Sequence, residues 1–231
     1  MSDWIGFDKE LLLSLNGSDS LFFDGLVKTL TTATTWIPLY VALLYLVIKN
    51  NDSLKKVLLI VGAALLCVLL AGIVDDIFIK PTVARWRPSR DGEIGMLVDI
   101  VNGYRGGRFG FFSAHAANTF SIAVFFILLV RSRMLSVALV LWSLVNCWTR
   151  LYLGVHYPGD IIIGLLWGGL VGTFVWYFHK RLCLHMELNN SYISEQYTKT
   201  GYQFSDIDVV ISVLVFTLLY AVLKACLYLY V

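Results

Sequence analysis

Charged residues are scarce in this chain of 231 residues. Asp, Glu, Lys and Arg together make up 15% of it, whereas a soluble domain carries about a quarter. So small a polar fraction cannot cover a water-exposed surface, which excludes an ordinary soluble enzyme and a disordered chain. The net charge of +2 gives no overall field that would attract nucleic acid, so nucleic acid is not expected as a partner.

Cysteine is also scarce, and its spacing forms no motif. Cys67, Cys147 and Cys226 lie in apolar runs, Cys183 lies in a polar stretch, and no C-x-x-C pair occurs. Neither a disulfide framework nor a zinc site is therefore indicated. The first residues lack a basic start followed by an unbroken apolar core, so a signal peptide is not expected either.

Long apolar runs are what the sequence has in abundance. Six of them are long enough to cross a bilayer, and each is expected to be a helix because lipid leaves no water to satisfy an exposed backbone. The sequence thus predicts an all-α, polytopic membrane helix bundle that forms one domain over residues 1–231, with an extra C-terminal transmembrane helix at about 209–230. The predicted spans are Leu26–Ile48, Val57–Ile79, Ser113–Val130, Met134–Leu151, Ile161–Phe178 and Val209–Tyr230.

The N-terminal segment before the first span has its own pattern. Apolar residues from Trp4 to Leu15 recur at helical spacing, with charged residues between them. This spacing predicts an amphipathic helix that lies in the membrane interface. A simple N-terminal helix that packs on the bundle fits the pattern equally well.

The distribution of basic residues predicts the orientation of the bundle. The loops on one membrane side carry basic residues that are not part of a candidate functional site. The positive-inside rule predicts that this side is cytoplasmic. The N-terminus, the loop 80–112 and the turn 152–159 then face the periplasm of a bacterial-type inner membrane. The bases on the cytoplasmic side are Lys49, Lys55, Lys56, Arg131, Arg133, Lys180, Arg181 and Lys199.

Two patterns inside the spans call for an explanation. Asp75 and Asp76 lie near the end of the second span, one turn from Lys80, and are expected to pair with it or with boundary water. In the fifth span, Gly164, Gly168 and Gly172 recur every four residues. Small residues at this period favour a close helix–helix contact.

Polar residues cluster at the ends of the spans on the predicted outer face. They lie in residues 80–88, 112–115 and 149–160. The arginine guanidinium suits the geometry of phosphate oxygens, and lysine adds a point charge. A helix N-terminus also favours an anion. The residues expected to bind phosphate are Lys80, Arg87, Arg150 and, at a helix start, Ser113.

Two histidines and an aspartate in the same patches provide reactive groups. His156 and Asp160 are four residues apart, so the carboxylate can fix the tautomer of the imidazole, as in a nucleophile-and-orienter pair. His115 lies on another helix and can act as a general acid. These three residues are legitimate metal ligands, but the nearby cations would repel a divalent ion. Neither a metal nor another cofactor is expected.

The three patches resemble the signature of the type 2 phosphatidic acid phosphatase family, which includes the vanadium haloperoxidases. The family pattern is K-x6-R-P, then P-S-G-H, then S-R-x5-H-x3-D, and residues 80–160 match it in order. Phe112 stands where the family has Pro, Ala114 where it has Gly, and Thr149 where it has Ser. No reacting group is lost, although alanine would be strained if the site required a positive φ at position 114.

The resemblance implies a mechanism and a role for each residue. His156 would attack phosphorus to form a phosphohistidine, Asp160 would hold its ring, and His115 would protonate the departing oxygen without help from a metal. The implied phosphate-binding groups are Lys80, Arg87, Ser113, the backbone N–H of Ala114, and Arg150.

The function predicted from these observations is that of a metal-independent membrane lipid phosphate or diphosphate phosphatase. Arg85, Arg105 and Arg108 lie in a glycine-rich loop that would fold over a multiply charged head group, such as undecaprenyl diphosphate or a lipid A phosphate. A solvated loop neutralised by its own carboxylates fits equally well. A lipid phosphotransferase, or a non-catalytic protein that binds or transports anionic lipid, remains an alternative, and the sequence leaves the oligomeric state open.

Overall fold

The computed structural model of the chain describes residues 2–184 and 195–229. Over these ranges it contains α-helices, short 3₁₀ and π turns and two isolated β-bridges, but no strand. The prediction of an all-α protein is therefore confirmed for the described residues. The helices are α1 Ser2–Leu15, α2 Leu21–Thr31, α3 Ile37–Lys49, α4 Leu54–Ile73, α5 Lys80–Val83, α6 Ala114–Val130, α7 Arg133–Tyr152, α8 Pro158–Leu184 and α9 Phe204–Tyr228.

Four helices in the described ranges are long and apolar enough to cross a membrane. They are Leu54–Val83, in which α4 continues through a π turn into α5, and Arg133–Tyr152, Pro158–Cys183 and Phe204–Tyr228. A fifth span results if the bent pair formed by α2 and Ala33–Lys49 is counted as one. The helix α6 is apolar but has only 17 residues, so the predicted number of six spans is not confirmed.

The first predicted span is not one straight helix. Between α2 and the 3₁₀ turn that leads into α3, the axis bends by 69°. The carbonyl of Thr29 accepts bonds from the Thr32 N–H at 3.2 Å and from the Thr35 hydroxyl at 2.7 Å. Threonine hydroxyls compete with the backbone for helical acceptors, so the threonines of this segment favour a break. The prediction of a continuous helix over Leu26–Ile48 is wrong for this reason.

The helices α6 and α8 approach closely along the glycines of α8. A Cβ atom on Gly168 would lie 2.5 Å from the carbonyl oxygen of Ala117, and one on Gly164 would lie 2.7 Å from that of Ser113. This confirms that the repeated glycines serve packing. The contact also brings the two N-termini together, because the N–H of Ser113 donates to the carbonyl of Asp160 at 3.1 Å.

The helix α1 packs on the loop between α5 and α6. The side chain of Leu12 is fully buried in a cluster with Ile94, Val98 and Tyr157. The structure thus contains an N-terminal helix, one face of which contacts the bundle, but the expected amphipathic helix is not confirmed. Its position in the membrane interface stays a prediction. The exposed apolar residues of α1 include Trp4, Ile5 and Phe7.

Two predicted segments extend beyond the described residues. Residues 185–194 of the polar stretch 180–208, and Tyr230 at the end of the last predicted span, lie outside them. Within the described part of that stretch, the Thr200 hydroxyl donates to the carbonyl of Val130 at 2.7 Å. The predicted C-terminal span corresponds to α9, which begins five residues earlier than expected.

Candidate active site

The three polar patches meet at one end of the bundle. Arg87, from the loop after α5, donates to the carbonyl of Val155 at 3.2 Å, in the turn between α7 and α8. The bond from Ser113 to Asp160 joins the start of α6 to the start of α8. The convergence predicted from the sequence is therefore present in the structure.

His156 is buried at the centre of this cluster, with 2% of its surface exposed. Its Nε2 atom lies 3.4 Å from a guanidinium nitrogen of Arg87. Its Nδ1 atom has no hydrogen-bond partner and lies 3.6 Å from a carboxylate oxygen of Asp160, just beyond hydrogen-bond distance. Burial and the neighbouring cations of Arg87 and Arg150 lower the pKa of His156 well below its usual value. The imidazole is thus neutral near pH 7, as a nucleophile requires.

The Asp160 carboxylate is held by a clamp that includes the N-terminal helix. It is fully buried and accepts the N–H of Tyr157 at 3.0 Å and a guanidinium N–H of Arg85 at 2.7 Å. Asp8 on α1 accepts the other end of Arg85 at 2.6 Å and the N–H of Gly159 at 2.8 Å. We call Asp8, Arg85 and Asp160 the carboxylate clamp.

The clamp gives Arg85 partners that the sequence did not suggest. The sequence placed this residue in a loop over the head group, but both ends of its guanidinium are bound to carboxylates. It also lies 4.0 Å from the centroid of the Tyr157 ring. Although burial opposes it, the charges of Asp160 and Asp8 raise the pKa of Arg85. Arg85 is therefore a fixed cation inside the site.

Arg87 and Arg150 are the buried cations of the site that lack a carboxylate partner within 4.0 Å among the described residues. Arg150 donates to the Thr31 hydroxyl at 2.6 Å and to the Tyr104 hydroxyl at 3.2 Å, and its Nε atom has no partner. Burial and the charge of Arg150 lower the pKa of Arg87. Two adjacent buried cations that face neutral groups form a site suited to an anion.

Lys80 behaves differently from the two arginines. Its ammonium group lies 2.7 Å from the Asp75 carboxylate and 2.5 Å from that of Asp76. The predicted pairing of these aspartates with the basic cluster is confirmed. Asp75 is fully buried in the π turn Val74–Ile79 and also accepts the N–H of Phe112 at 3.1 Å. Lys80 is thus positioned beside the start of α6.

The start of α6 provides the second patch. Ser113 is fully buried and caps the helix, with its hydroxyl accepting the N–H of Ala116 at 3.4 Å. Ala114 is the first helical residue and is not among the described residues with positive φ. Alanine in place of the family's glycine therefore causes no strain here. His115 is half-buried and interacts electrostatically with Arg150 and His156, which places it beside the same cluster.

The other loop arginines are held by the loop itself. Arg105 donates to the carbonyl of Ser89 at 2.9 Å, and Arg108 lies 4.8 Å from the centroid of the Trp86 ring. The loop carboxylates contact α1 instead, since Lys9 lies 3.1 Å from Asp91 and 2.7 Å from Glu93. A contact of Arg105 and Arg108 with a head group stays a prediction.

Three residues of the site were missed by the sequence reasoning. Asp8 and Thr31 precede the motif region, and each contacts a partner more than 70 residues away, so local spacing gives no signal for them. Tyr104 lies in the glycine-rich loop beside the bases.

In the described part of the chain, no group of three His, Cys, Asp or Glu side chains is arranged to hold a metal ion.

Comparison with known proteins identifies the family. Residues 56–183 match the PAP2 superfamily. The chain belongs to this superfamily. It is 42% identical over 181 residues to the lipid A 4′-phosphatase of Bacteroides thetaiotaomicron, an alignment that covers 78% of this chain and 80% of that protein. It is 36% identical over 171 residues to the lipid A 4′-phosphatase of Porphyromonas gingivalis, which covers 73% of this chain and 71% of that protein. No solved structure matches.

Membership of the PAP2 superfamily confirms the resemblance found in the three motifs, which lie within the matched residues. Together with the spanning helices, the family and the relatives identify the chain as an integral membrane protein and a lipid phosphatase, and hence a phosphoric ester hydrolase.

Proposed function

We propose that this PAP2 protein hydrolyses a phosphate ester of lipid A at the outer face of a bacterial inner membrane, through a phosphohistidine and without a metal ion. The observation that carries the proposal is the position of His156. A neutral, buried imidazole lies 3.4 Å from Arg87, beside a second arginine that also has no described carboxylate partner. This arrangement suits a nucleophile next to a bound phosphate.

In the first step, Nε2 of His156 attacks phosphorus, and the bond between phosphorus and the lipid oxygen breaks. His115, as the imidazolium that forms beside the bound phosphate, gives a proton to that oxygen, which leaves as the lipid alcohol. The Asp160 carboxylate moves within hydrogen-bond distance of Nδ1 and stabilises the charge that develops on the ring. In a free enzyme, catalytic hydrogen bonds are often long and shorten when the substrate binds. The 3.6 Å distance between Nδ1 of His156 and the Asp160 carboxylate must shorten in this way.

In the second step, water attacks the phosphohistidine. His115, which is now neutral, takes a proton from the water as the phosphorus–nitrogen bond breaks. Inorganic phosphate leaves, and both histidines return to their initial protonation states. The same residues thus serve as acid and then as base.

The phosphoryl oxygens are bound mainly by the two arginines that have no described carboxylate partner. Arg87 and Arg150 are preorganised by hydrogen bonds to carbonyl and hydroxyl oxygens, so they need little rearrangement as charge shifts in the transition state. Lys80, the Ser113 hydroxyl and the Ala114 N–H complete the binding site.

The relatives favour lipid A as the substrate. Both similar proteins are named lipid A 4′-phosphatases, whereas undecaprenyl diphosphate is suggested only by the chemistry that the two lipids share. A phosphate at the end of a lipid head group projects from the bilayer and can enter a site at the ends of the helices.

The test is phosphate release from lipid A by the purified protein in the presence of EDTA. Wild-type protein is expected to release phosphate at an undiminished rate, and His156→Asn is expected to lose about a thousandfold or more in rate, since it removes the nucleophile. His179→Asn is the matched control, because His179 contacts Phe125 and Cys183 instead of the site residues.

Loss of activity in EDTA, or full activity of His156→Asn, would contradict the mechanism. A phosphorylated acceptor lipid without free phosphate would instead identify a phosphotransferase. Mass spectrometry of the lipid products distinguishes these outcomes.

A further inference from the structure

A cavity lined by both polar and apolar side chains lies between the broken first span and α9, outside the cluster around His156. It has a volume of about 570 Å³. We call it the Thr–Lys pocket. The residues of its wall that matter here are Thr32, Thr34, Thr35, Thr217, Tyr220 and Lys224.

Lys224 is the cation of this pocket. It is an exposed residue in the C-terminal part of the spanning helix α9, and its ammonium group lies 5.9 Å from the centroid of the Tyr220 ring. No carboxylate in residues 4–183 or 195–229 lies within 4.0 Å of it. A charge within a spanning segment is costly and indicates a functional site.

The pocket lies toward the membrane face that carries the active site. Lys224 is one helical turn before Tyr228, whose hydroxyl donates at 2.6 Å to Asn102 in the loop between α5 and α6. The wall contributed by the first span begins at Thr32, immediately after Thr31. The Thr31 hydroxyl accepts a bond from Arg150 at 2.6 Å. The pocket therefore begins next to a residue that contacts one of the arginines proposed to bind phosphate.

The threonines make the pocket complementary to more than a simple anion. The hydroxyls of Thr32, Thr35 and Thr217 donate to backbone carbonyls at 2.7, 2.7 and 2.8 Å. Each hydroxyl oxygen therefore keeps lone pairs that can accept a further bond. One cation beside several acceptors suits an anionic group attached to hydroxyl or amide donors, as in a phosphorylated sugar.

We propose that the Thr–Lys pocket binds a second anionic group of the same lipid whose other phosphate reacts at His156, with Lys224 as its counter-ion. The inference rests on the proposed function and narrows its substrate class to a saccharolipid that carries two phosphates. In lipid A, the second group is the phosphate at the opposite end of the disaccharide.

The test compares kcat/KM for lipid A that carries both phosphates with kcat/KM for lipid A that carries only the 4′-phosphate. The assay uses micelles of a neutral detergent, so that no other anionic lipid is present. Lys224→Met is expected to lower the ratio of the two values about tenfold, which corresponds to the loss of one hydrogen bond to a charged group. Lys224→Arg is expected to retain the wild-type ratio.

Lys28→Met is the matched control. Lys28 also lies over a tyrosine ring, that of Tyr228, at 5.7 Å, but it is not part of the wall of the pocket. Its removal is expected to leave the ratio unchanged. An equal fall of the ratio in both methionine variants would show a general effect of surface charge and would overturn the proposal.

Two further outcomes would also overturn it. One is an unchanged ratio in Lys224→Met. The other is an effect that is confined to vesicles containing phosphatidylglycerol, which would assign the pocket to a separate membrane lipid. Each leaves hydrolysis at His156 intact, whereas absence of turnover by the wild-type protein with every lipid phosphate would refute the proposed function itself.

Discussion

The reactivity of His156 depends on the balance of charge around a single ring. Arg87 and Arg150 favour the neutral imidazole, while Asp160 would favour the protonated one. Arg85 shifts this balance because it already neutralises Asp160 at 2.7 Å. The carboxylate clamp therefore keeps the nucleophile unprotonated and also fixes the side chain that orients it.

This gives a prediction for Arg85→Gln. Without its arginine, Asp160 acts on His156 unopposed and raises the pKa of the imidazole. The acid limb of the pH profile of kcat/KM is then expected to move to higher pH, so that activity is lost earlier as the pH falls. The value at pH 7.5 is expected to fall by up to about a hundredfold, because the carboxylate is no longer held in place.

Two variants separate this effect from a general structural one. Asp8→Asn leaves Asp160 paired with Arg85, so its acid limb should stay at or below that of the wild type. Arg90→Gln removes an exposed cation of the same loop and should change neither the limb nor the rate. An acid limb of Arg85→Gln that coincides with the wild-type limb would refute the electrostatic role of the clamp.

The site residues that the sequence revealed are those with motif spacing. His156 lies two residues before α8 and Asp160 lies in its first turn, so their short separation along the chain predicts that they are close in space. Asp8 and Thr31 have no such relation to their partners, since their contacts depend on how α1 and α2 pack against the bundle. Only tertiary structure could place them in the site.

Among the elements, the pair α6 and α8 positions both histidines. Close packing along the glycines of α8 joins Ser113 to Asp160, and this sets the relative position of His115 and His156. Since the backbones of α6 and α8 nearly touch, a single methyl group added between them should displace the residues of the active site.

We therefore predict different effects of an added methyl group at two adjacent glycines. The Cβ of Gly168→Ala would meet the Ala117 backbone at 2.5 Å, so the helices must separate, at a cost of about 1–3 kcal/mol. The Cβ of Gly169→Ala would meet only the Phe120 ring, at 3.4 Å. Thermal unfolding in detergent and phosphate release should both decline in the first variant and be nearly unchanged in the second.

Equal behaviour of the two alanine variants would show that the contact between α6 and α8 does not limit the site. A further control is Gly62→Ala in α4, where an added Cβ has no neighbour within 4 Å. This change should stabilise the helix by up to about 1 kcal/mol, since alanine has the higher helix propensity.

The elements themselves were predictable where an apolar run dominates. The spans α7, α8 and α9 extend the predicted ranges by a few residues at one or both ends, because helices continue beyond the apolar part into polar turns. The break at Thr32 was not predicted, since the length and hydrophobicity of Leu26–Ile48 are compatible with one helix. It coincides with bonds to the Thr29 carbonyl from the Thr35 hydroxyl and the Thr32 N–H, which a pattern of apolar residues does not predict.

At the scale of the whole molecule, the contacts define two ends of the bundle. At one end, α1 and the loop between α5 and α6 meet the turn after α7, as when Asn16 donates to the carbonyl of Tyr152 at 2.8 Å. At the other end, Asn50 accepts the N–H of Gln203 at 2.8 Å, and Thr200 contacts Val130. The bases that accompany no site lie toward this second end, which the positive-inside rule assigns to the cytoplasm.

The proposed orientation predicts which residues an impermeant reagent can reach. Met96 lies in the loop on the active-site side and is 97% exposed, and Lys55 lies at the exposed start of α4 on the opposite side. In a chain with Cys183→Ser and Cys226→Ser, Met96→Cys is expected to react with a membrane-impermeant maleimide in cells whose outer membrane has been permeabilised. Lys55→Cys should react only after the inner membrane is lysed, because the proposed orientation places it on the cytoplasmic face. The reverse pattern would place the site in the cytoplasm, where it would act on a lipid phosphate of the inner leaflet.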